Sequence, residues 1–511
     1  MNSFPSKLVQ KGELWKRITL LLPNTGVFDI LWPSMTSSEV EMIGRKYELK
    51  RLKAAYDSPE SEFVSVYGRR RIGKTYLVNE AFNCTFSFHV VGLRREGMRR
   101  QLDNFRLALK RQGHRDCPRL TSWLEAFYEL EVFLETLPAG RKVVFLDEMP
   151  WMDTRKSGFL SALEGFWNGW ATSRKDILLV ACGSATSWIV KQLNRNRGGL
   201  YNRIRTQIKL YPFTLAECEE YARELGLGYE RNHILECYMT FGGVAYYWSL
   251  LEKGRSPEQN VDSLFFGRRD GLRMEFDELY SSLFTNPEPY VKIILELGKH
   301  RQGLSRDEIA RAVGCTSSGN FSSHLSELEE CGFIRLYRPA GGENAGIYQL
   351  VDEFSLFYMT FVDGAMSRDG DYWTNQVNEG RKNDWRGMAF ERVCVDHVAQ
   401  IKKALGISGV HTDVYSWKAS ASANLRGAQI DLLIDRRDGI ANLCEMKYSK
   451  DEYAIEKDEA LKIRNRVEAF RKVIGAKRTI HVTIITANGL KHNCYWNDIQ
   501  SEVTLDDLFQ A

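Results

Sequence analysis

No apolar run in the chain approaches the roughly 18–20 residues that a membrane-spanning helix needs, so a membrane partner is not expected. Metal-binding cysteine patterns are also missing. Cys84, Cys117, Cys182, Cys218, Cys237, Cys315, Cys331, Cys394, Cys444 and Cys494 are scattered, with no Cys-x-x-Cys pair and no Cys/His cluster in sequence. That spacing argues against a zinc knuckle and for ordinary thiols in a reducing, cytoplasmic compartment. Charge of one sign is not in excess: 70 Lys and Arg stand against 66 Asp and Glu, a formal net charge of +4. Any nucleic-acid contact must therefore come from local basic patches rather than a polycationic whole. Internal repeats and low-complexity tracts are absent too.

What remains is the composition of a packed protein, 43% hydrophobic and 27% charged, which excludes global disorder. A length of 511 residues accommodates about three domains. Near the start, Lys7, Lys11, Lys16 and Arg17 precede the apolar Ile18 to Leu22, but Pro23, Asn24 and Asp29 break that stretch. It reads as a poor signal peptide. Residues 1–40 are taken as an extension without assigned function, Met35 and Met42 being plausible internal starts.

From there the pattern alternates. A helix is expected near Gly44 to Leu49, then a buried strand Phe63 to Tyr67, the segment Gly68 to Thr75, and a further helix. Strands are expected at Phe86–Val91, at Lys142–Leu146 ending on Asp147-Glu148, and at Ile177–Cys182 ending on Gly183-Ser184. Apolar strands alternating with amphipathic helices predict an α/β fold, a parallel sheet covered on both faces, over residues 41–212. Residues 213–285 read as a helical lid, with helices Leu215 to Leu225 and Ile234 to Leu251. Residues 286–375 read as three helices and a hairpin, the order of a winged helix-turn-helix, with Ser305 as an N-cap, Gly314 as a stop and Gly341-Gly342 at the hairpin tip. Residues 376–511 form a second α/β unit: helix Phe390–Leu405, strands Ile430–Asp435 and Ala441–Lys447, helix Ala460–Ile474, and strand Thr479–Thr486.

The segment Gly68-Arg69-Arg70-Arg71-Ile72-Gly73-Lys74-Thr75 matches G-x-x-x-x-G-K-[ST] in full, between a strand and a helix. Its glycines let backbone N–H groups wrap a phosphate at a positive helix N-terminus. Lys74 is expected to neutralise the β/γ-phosphates of ATP and Thr75 to ligate Mg²⁺. Gly68, Arg71, Ile72, Gly73 and Tyr76 complete the expected nucleotide contacts. Asp147 is assigned to Mg²⁺ and Glu148 to polarising the attacking water. Ser184, ending the next strand, is placed to sense the γ-phosphate. Arg203 and Arg205 are candidates for an arginine acting on the transferring phosphate, within the chain or between copies in a homo-oligomer.

A second constellation lies in the C-terminal unit. About fourteen residues separate Asp431 from Glu445-Met446-Lys447. The period-two geometry of a strand puts Glu445 and Lys447 on one face. Asp431 and Glu445 are expected to bind Mg²⁺ or Mn²⁺, with Glu391 as a further ligand and Lys447 positioning water. Alone, Glu-x-Lys is an ion-paired strand edge. The apolar surroundings (Ile430, Leu432, Leu433, Leu443, Met446) favour a functional reading, because charges there are costly.

With both sites in hand, the chain resembles a prokaryotic family of P-loop ATPases of the AAA+/STAND kind, in which a restriction-endonuclease-like domain follows a winged helix. The likeness runs from about residue 42 to the end, through VYGRRRIGKTYLVNE, VVFLDEMPWM, ACGSATSWI and FE…GAQIDLLIDR…LCEMKYS. It implies ATP and Mg²⁺ at Gly73, Lys74, Thr75, Asp147 and Glu148. It also implies the PD-(D/E)xK nuclease signature at Glu391, Asp431, Glu445 and Lys447. The leading function is an ATP-controlled, DNA-directed nuclease. The alternatives are a nucleotide-switched DNA- or protein-binding regulator without cleavage, and an ATPase that recruits a partner protein. The second helix of the winged unit carries Glu327, Glu329 and Glu330, which repel phosphate, so an intramolecular or protein-contact role is expected of it. Basic clusters at Arg94-Arg95 and at Lys462 to Arg478 read mainly as solvated faces, the latter with a DNA-backbone role in view. Trp151, Trp167, Trp170 and Trp188 are expected to pack the ATPase core.

Overall fold

In a computed structural model, the structure describes residues 42–194, 198–200, 202–267, 271–284, 286–315, 319–337, 346–365, 371–419, 428–474 and 478–510. The expected extension and Gly341-Gly342 lie outside the described residues. Five strands, β1 (Glu62–Tyr67), β2 (Phe88–Val91), β3 (Lys142–Asp147), β4 (Ile177–Gly183) and β5 (Thr206–Lys209), form a sheet in the order β2-β3-β4-β1-β5. Every pairing in it is parallel. The central strands β1, β3 and β4 are almost wholly buried and largely apolar because both faces are covered, whereas the edge strand β5 is mostly polar. Phe63, Phe88, Val144, Leu146, Leu179 and Ala181 pack against the helices Met98–Arg111 and Trp123–Thr136 in one core, with Trp167 inside it and Trp170 and Trp188 against its edge. At roughly 1.5–3 kcal/mol per fully buried large apolar side chain, this core is what fixes the sheet.

The helices of the segment expected to form a lid depart from the expected lengths for a physical reason. Ile234 to Leu251 is not one helix but two, Arg231–Phe241 and Ala245–Ser249. Gly242 at φ +59° sits between them, and a Cβ on Gly243 would lie 1.9 Å from the Phe213 carbonyl oxygen. The helix Leu215–Glu224 begins in a capping box of Thr214 and Glu217. Ser305 likewise caps Arg306–Ala312 in a box with Glu308.

Helices Glu288–Lys299, Arg306–Ala312 and Gly319–Glu330 precede an antiparallel pair, β7 (Ile334–Tyr337) and β8 (Ile347–Leu350), with β6 (Leu304–Ser305) on the other side of β8. The C-terminal sheet runs β15-β13-β11-β10-β9, from β9 (Thr412–Ala419), β10 (Ala428–Arg436), β11 (Ile440–Lys447), β13 (Thr479–Thr486) and β15 (Ser501–Val503). Two short strands, β12 (Tyr453–Ala454) and β14 (Leu490–Lys491), pair beside it. Strand β9 was not expected from the sequence. Helices Glu379–Asp396 and Lys457–Ile474 accompany this sheet. The expected helix Phe390–Leu405 is interrupted at His397 and continues as Val398–Ala404.

Candidate nucleotide site and C-terminal carboxylate site

Parallel strands bring the phosphate-site residues to one edge. Gly68, Asp147 and Ser184 each stand at the C-terminal end of a strand, and these strands are neighbours in the sheet, the place where open α/β sheets hold ligands. Gly68 takes φ +148°, and a Cβ there would lie 2.4 Å from the Leu210 carbonyl oxygen; Gly73 takes φ +90° as the helix Lys74–Ala81 begins. Both positions need glycine. Ile72 is buried behind the loop, and Tyr76 is half exposed on the helix.

Lys74 is buried, and its Nζ donates to the Arg69 carbonyl at 2.8 Å. The Thr75 hydroxyl donates to Asp147 Oδ2 at 2.9 Å. Burial, and next the charge of Glu148, push the Asp147 carboxyl up to about 6. Glu148 itself adopts φ +44°, a left-handed conformation uncommon for a non-glycine residue and a form of strain found at functional sites. Its carboxylate accepts from the Ser184 hydroxyl at 2.6 Å and from the Ser184 amide at 3.2 Å. Ser184 therefore holds the candidate water-polarising acid, a contact that its sequence position alone did not reveal. Close passage of Glu148 also demands Gly92, where a Cβ would lie 2.4 Å from the Glu148 carbonyl oxygen.

Two arginines of the loop, Arg69 and Arg71, are paired with acids far along the chain. Arg69, fully buried, pairs with buried Asp352 and lies 5.1 Å from the Phe333 ring centre. Arg71, expected as a nucleotide contact, takes φ +71°, pairs with Glu275 at 2.9 Å and stacks over Tyr246 at 4.0 Å. Arg94 reaches Glu278 and the Ser281 hydroxyl, so this part of the Arg94-Arg95 cluster is not a solvated face: it grips the helix Glu275–Leu283. Arg45, not singled out from the sequence, is buried and donates to the Tyr211 carbonyl at 2.7 Å beside Phe213. Its signal was the Gly44-Arg45 pair ahead of an amphipathic helix.

Arg203 and Arg205 are not brought to the loop in the same way. Arg203 is exposed in the turn leading to β5. Arg205 is exposed and its nearest acid is Glu62, at 3.8 Å. Glu62 begins β1 and the phosphate loop follows its other end, about 17 Å away at the rise of a strand. Within one chain, Arg205 is on the wrong side of the sheet for the phosphates.

In the C-terminal unit, the same-face reading of Glu445 and Lys447 is what the structure contains: Lys447 Nζ is 2.7 Å from Glu445 Oε1 and 3.0 Å from Glu459. Arg466 holds the other Glu445 oxygen at 2.9 Å. Asp431 falls where the β10–β9 register shifts, between Ile430 and Leu433, an irregularity of the kind that re-aims side chains near active sites. It accepts from Gln429 at 2.7 Å. Glu391 is paired with Arg301, and burial is the main cause raising its pKa, with Asp431 adding to it. Among the described residues, Asp431, Glu445 and Glu391 do not converge as a metal-holding trio. Their oxygens are engaged by Gln429, Lys447, Arg466 and Arg301. Other members of the basic cluster are spent within the unit: Arg464 pairs with Asp498 and Arg478 with Asp435. The acidic helix Gly319–Glu330 faces the ATPase core, Glu327 and Ser323 both accepting from Lys191 Nζ.

The sheet, the loop and the two strand-end acids define a P-loop ATPase domain. Residues 42–251 match the family model of an ATPase domain predominantly from Archaea. An uncharacterized protein of Methanocaldococcus jannaschii is 26% identical over 415 residues, 80% of this chain and 87% of that one. The Walker-type ATPase of Pyrococcus abyssi is similar in structure, at a TM-score of 0.44 and 18% identity over 62% of this chain and 96% of its own. So is the Aeropyrum pernix ORC2 protein, at a TM-score of 0.40 and 13% identity over 64% and 95%. No described helix is long and apolar enough to cross a membrane.

Proposed function

We propose that the chain is an ATP-hydrolysing switch whose nucleotide state is passed to a C-terminal unit that acts on DNA. One observation carries this reading. The loop that wraps the phosphates is also tied by Arg69 to Asp352, beyond the β7–β8 hairpin, and by Arg71 to Glu275 in the lid. ATP entering the loop recruits Lys74, whose ammonium is otherwise held by the Arg69 carbonyl. The residue released is the one paired with Asp352. Phosphate binding and the position of the downstream elements thus share one residue, Arg69, whose carbonyl meets Lys74 and whose guanidinium meets Asp352, the requirement for a ligand to bias a two-state element.

For hydrolysis, Thr75 and Asp147 would hold Mg²⁺; their oxygens already meet at 2.9 Å, and a hydroxyl beside a carboxylate is the donor set this ion takes. The ion, when bound, neutralises charge on the phosphate oxygens. Glu148 orients and polarises water once its carboxylate leaves Ser184. Arg203, within the chain or from a neighbouring copy, or Arg205 from a neighbouring copy, serves the transferring phosphate.

The reading extends to metal-dependent DNA cleavage at Asp431, Glu445 and Lys447 with Glu391, using Mg²⁺ or Mn²⁺. The donor chemistry suits a hard divalent ion, but in the present arrangement cations occupy the carboxylates. As they stand, the carboxylates do not fit a metal cage. Arg301, Lys447 and Arg466 make this a resting state. That same occupancy favours a second reading, a nucleotide-switched DNA- or protein-binding regulator whose C-terminal unit does not cut. Plasmid and short duplexes are incubated with the full chain, with and without ATP and Mn²⁺. Cleavage by wild type that is lost in Lys447→Ala supports the nuclease. Equal cutting by Lys447→Ala excludes it, and salt-dependent binding without cutting selects the regulator.

A further inference from the structure

The ATPase core contains a cluster that the phosphate chemistry does not use. The helix Met98–Arg111 ends in a tight turn, where Gly113 takes φ +127° and the Cys117 amide donates to the His114 carbonyl at 3.2 Å. This turn sets His114 and Cys117 side by side. Glu129, on the next helix (Trp123–Thr136), meets them: His114 Nε2 lies 2.6 Å from Glu129 Oε2. One ring nitrogen, one thiol sulfur and one carboxylate oxygen lie within 4.8 Å of one another, the only such group among the described residues. We propose that His114, Cys117 and Glu129 form a binding site for a transition-metal dication of the zinc type, with the fourth position open to water.

The donor set fits that ion class. Nitrogen, sulfur and oxygen together suit a borderline-soft metal, whereas Mg²⁺ and Ca²⁺ take oxygen alone. Thiolate and carboxylate supply two negative charges for a dication. Tetrahedral coordination at the usual bond lengths separates donors by roughly 3.3–3.6 Å, so small side-chain adjustments suffice. The histidine ring is already oriented by stacking on Phe133 at 6.0 Å between centres. Cys117 is buried at 1% exposure, and its thiol has only a 3.6 Å contact to the Pro118 carbonyl. Arg106 donates to the Cys117 carbonyl at 3.1 Å and braces the turn. Such an ion would staple the β2-to-β3 excursion, joining the end of one helix to the middle of the next. His114 and Cys117 stand three residues apart in the sequence, but Glu129, twelve residues beyond Cys117, comes into range only because the two helices pack, so the sequence showed two of the three donors and not the third.

The test uses the full chain, stripped with chelator and titrated with Co²⁺ alone, without nucleotide. A cobalt ion on a cysteine thiolate gives a sulfur-to-metal charge-transfer band that oxygen-only sites cannot give. The phosphate loop and the C-terminal carboxylates are therefore silent in this assay. Wild type is expected to show the band saturating at one equivalent, to lose it to one equivalent of Zn²⁺, and to melt at a higher temperature with Zn²⁺ than without. Cys117→Ser is expected to lose the band and the thermal shift. Glu129→Gln retains the thiol and is expected to weaken Co²⁺ binding at least tenfold, which keeps the test decisive should Cys117→Ser fail to fold. Absence of the band in wild type, its persistence in Cys117→Ser, or unchanged affinity in Glu129→Gln would each overturn the proposal.

Discussion

Replacing Asp147 by Asn separates the phosphate site's chemistry from its effect on stability. The carboxyl is raised from an ordinary 3.8 to about 6, by burial first and by the charge of Glu148 second. A raised acid makes the folded state hold its proton more tightly than the unfolded chain does. The fold is therefore unaffected by this group below the unfolded pKa. It loses stability as pH rises from about 4 to about 6, and bears the whole cost above that. A difference of about 2 units corresponds to about 3 kcal/mol at neutral pH, and roughly half of that remains at pH 5. Asparagine removes the charge at almost constant volume. The Thr75 hydroxyl, now a donor to Asp147, can turn and accept from the new amide. Nucleotide-free Asp147→Asn is thus expected to unfold at higher urea than wild type at pH 7.5, by up to about 3 kcal/mol, with the gap narrowing by about half at pH 5. The same variant is expected to lose Mg²⁺-dependent ATP hydrolysis. Urea titrations of both proteins at the two pH values decide it. A variant less stable than wild type at pH 7.5, or a gap that does not shrink with acid, refutes the burial argument.

Removing the ammonium in Lys74→Ala is expected to weaken ATP binding at least tenfold, read by fluorescent-nucleotide titration; unchanged affinity would mean the phosphates bind elsewhere. Ser184→Ala frees the Glu148 carboxylate and is expected to raise basal ATP turnover, whereas Glu148→Gln is expected to lower it about a hundredfold with nucleotide binding retained. A Ser184→Ala protein slower than wild type would show that the serine assists rather than restrains. Asp352→Asn leaves the fully buried Arg69 guanidinium without its counter-charge, a change that costs about 3–5 kcal/mol in comparable buried pairs; denaturant unfolding measures it. His397 accepts from the Leu215 amide through Nε2, and burial holds its pKa below the ordinary histidine value. Its contribution is present above the unfolded pKa and is lost as pH falls, because the unfolded chain takes up a proton that the folded ring resists. His397→Gln is expected to flatten the stability profile between neutral pH and pH 5.

The phosphate loop could be read from sequence because its chemistry is local: glycines at two positive-φ positions, an ammonium and a hydroxyl follow one another in eight residues. Acids at strand ends were readable for a related reason, since a parallel sheet gathers the ends of neighbouring strands at one edge. The break at Gly242-Gly243 had a visible signal in the paired glycines, but helical periodicity on both sides masked it. Strand β9 lies at the sheet's edge with Asp413 and Val414 exposed and only Trp417 buried among its described side chains, so it lacks the apolar run that marked the interior strands.

Contacts between distant elements followed no such rule. A strand determines which of its own side chains share a face, and Glu445 and Lys447 accordingly meet at 2.7 Å. Which foreign charge arrives at that face is decided by packing. Arg466 comes from the following helix to Glu445, and Arg301, 90 residues upstream of Glu391, comes to its carboxylate. Sequence spacing could nominate the acids but could not see the cations that neutralise them. The same holds at the phosphate loop, where Arg69 finds Asp352 across 283 residues. A charge buried in that loop without a partner would be too costly to keep. The buried arginine therefore makes the position of the downstream segment a condition of the loop's own stability, which is how a phosphate site comes to sense the rest of its chain.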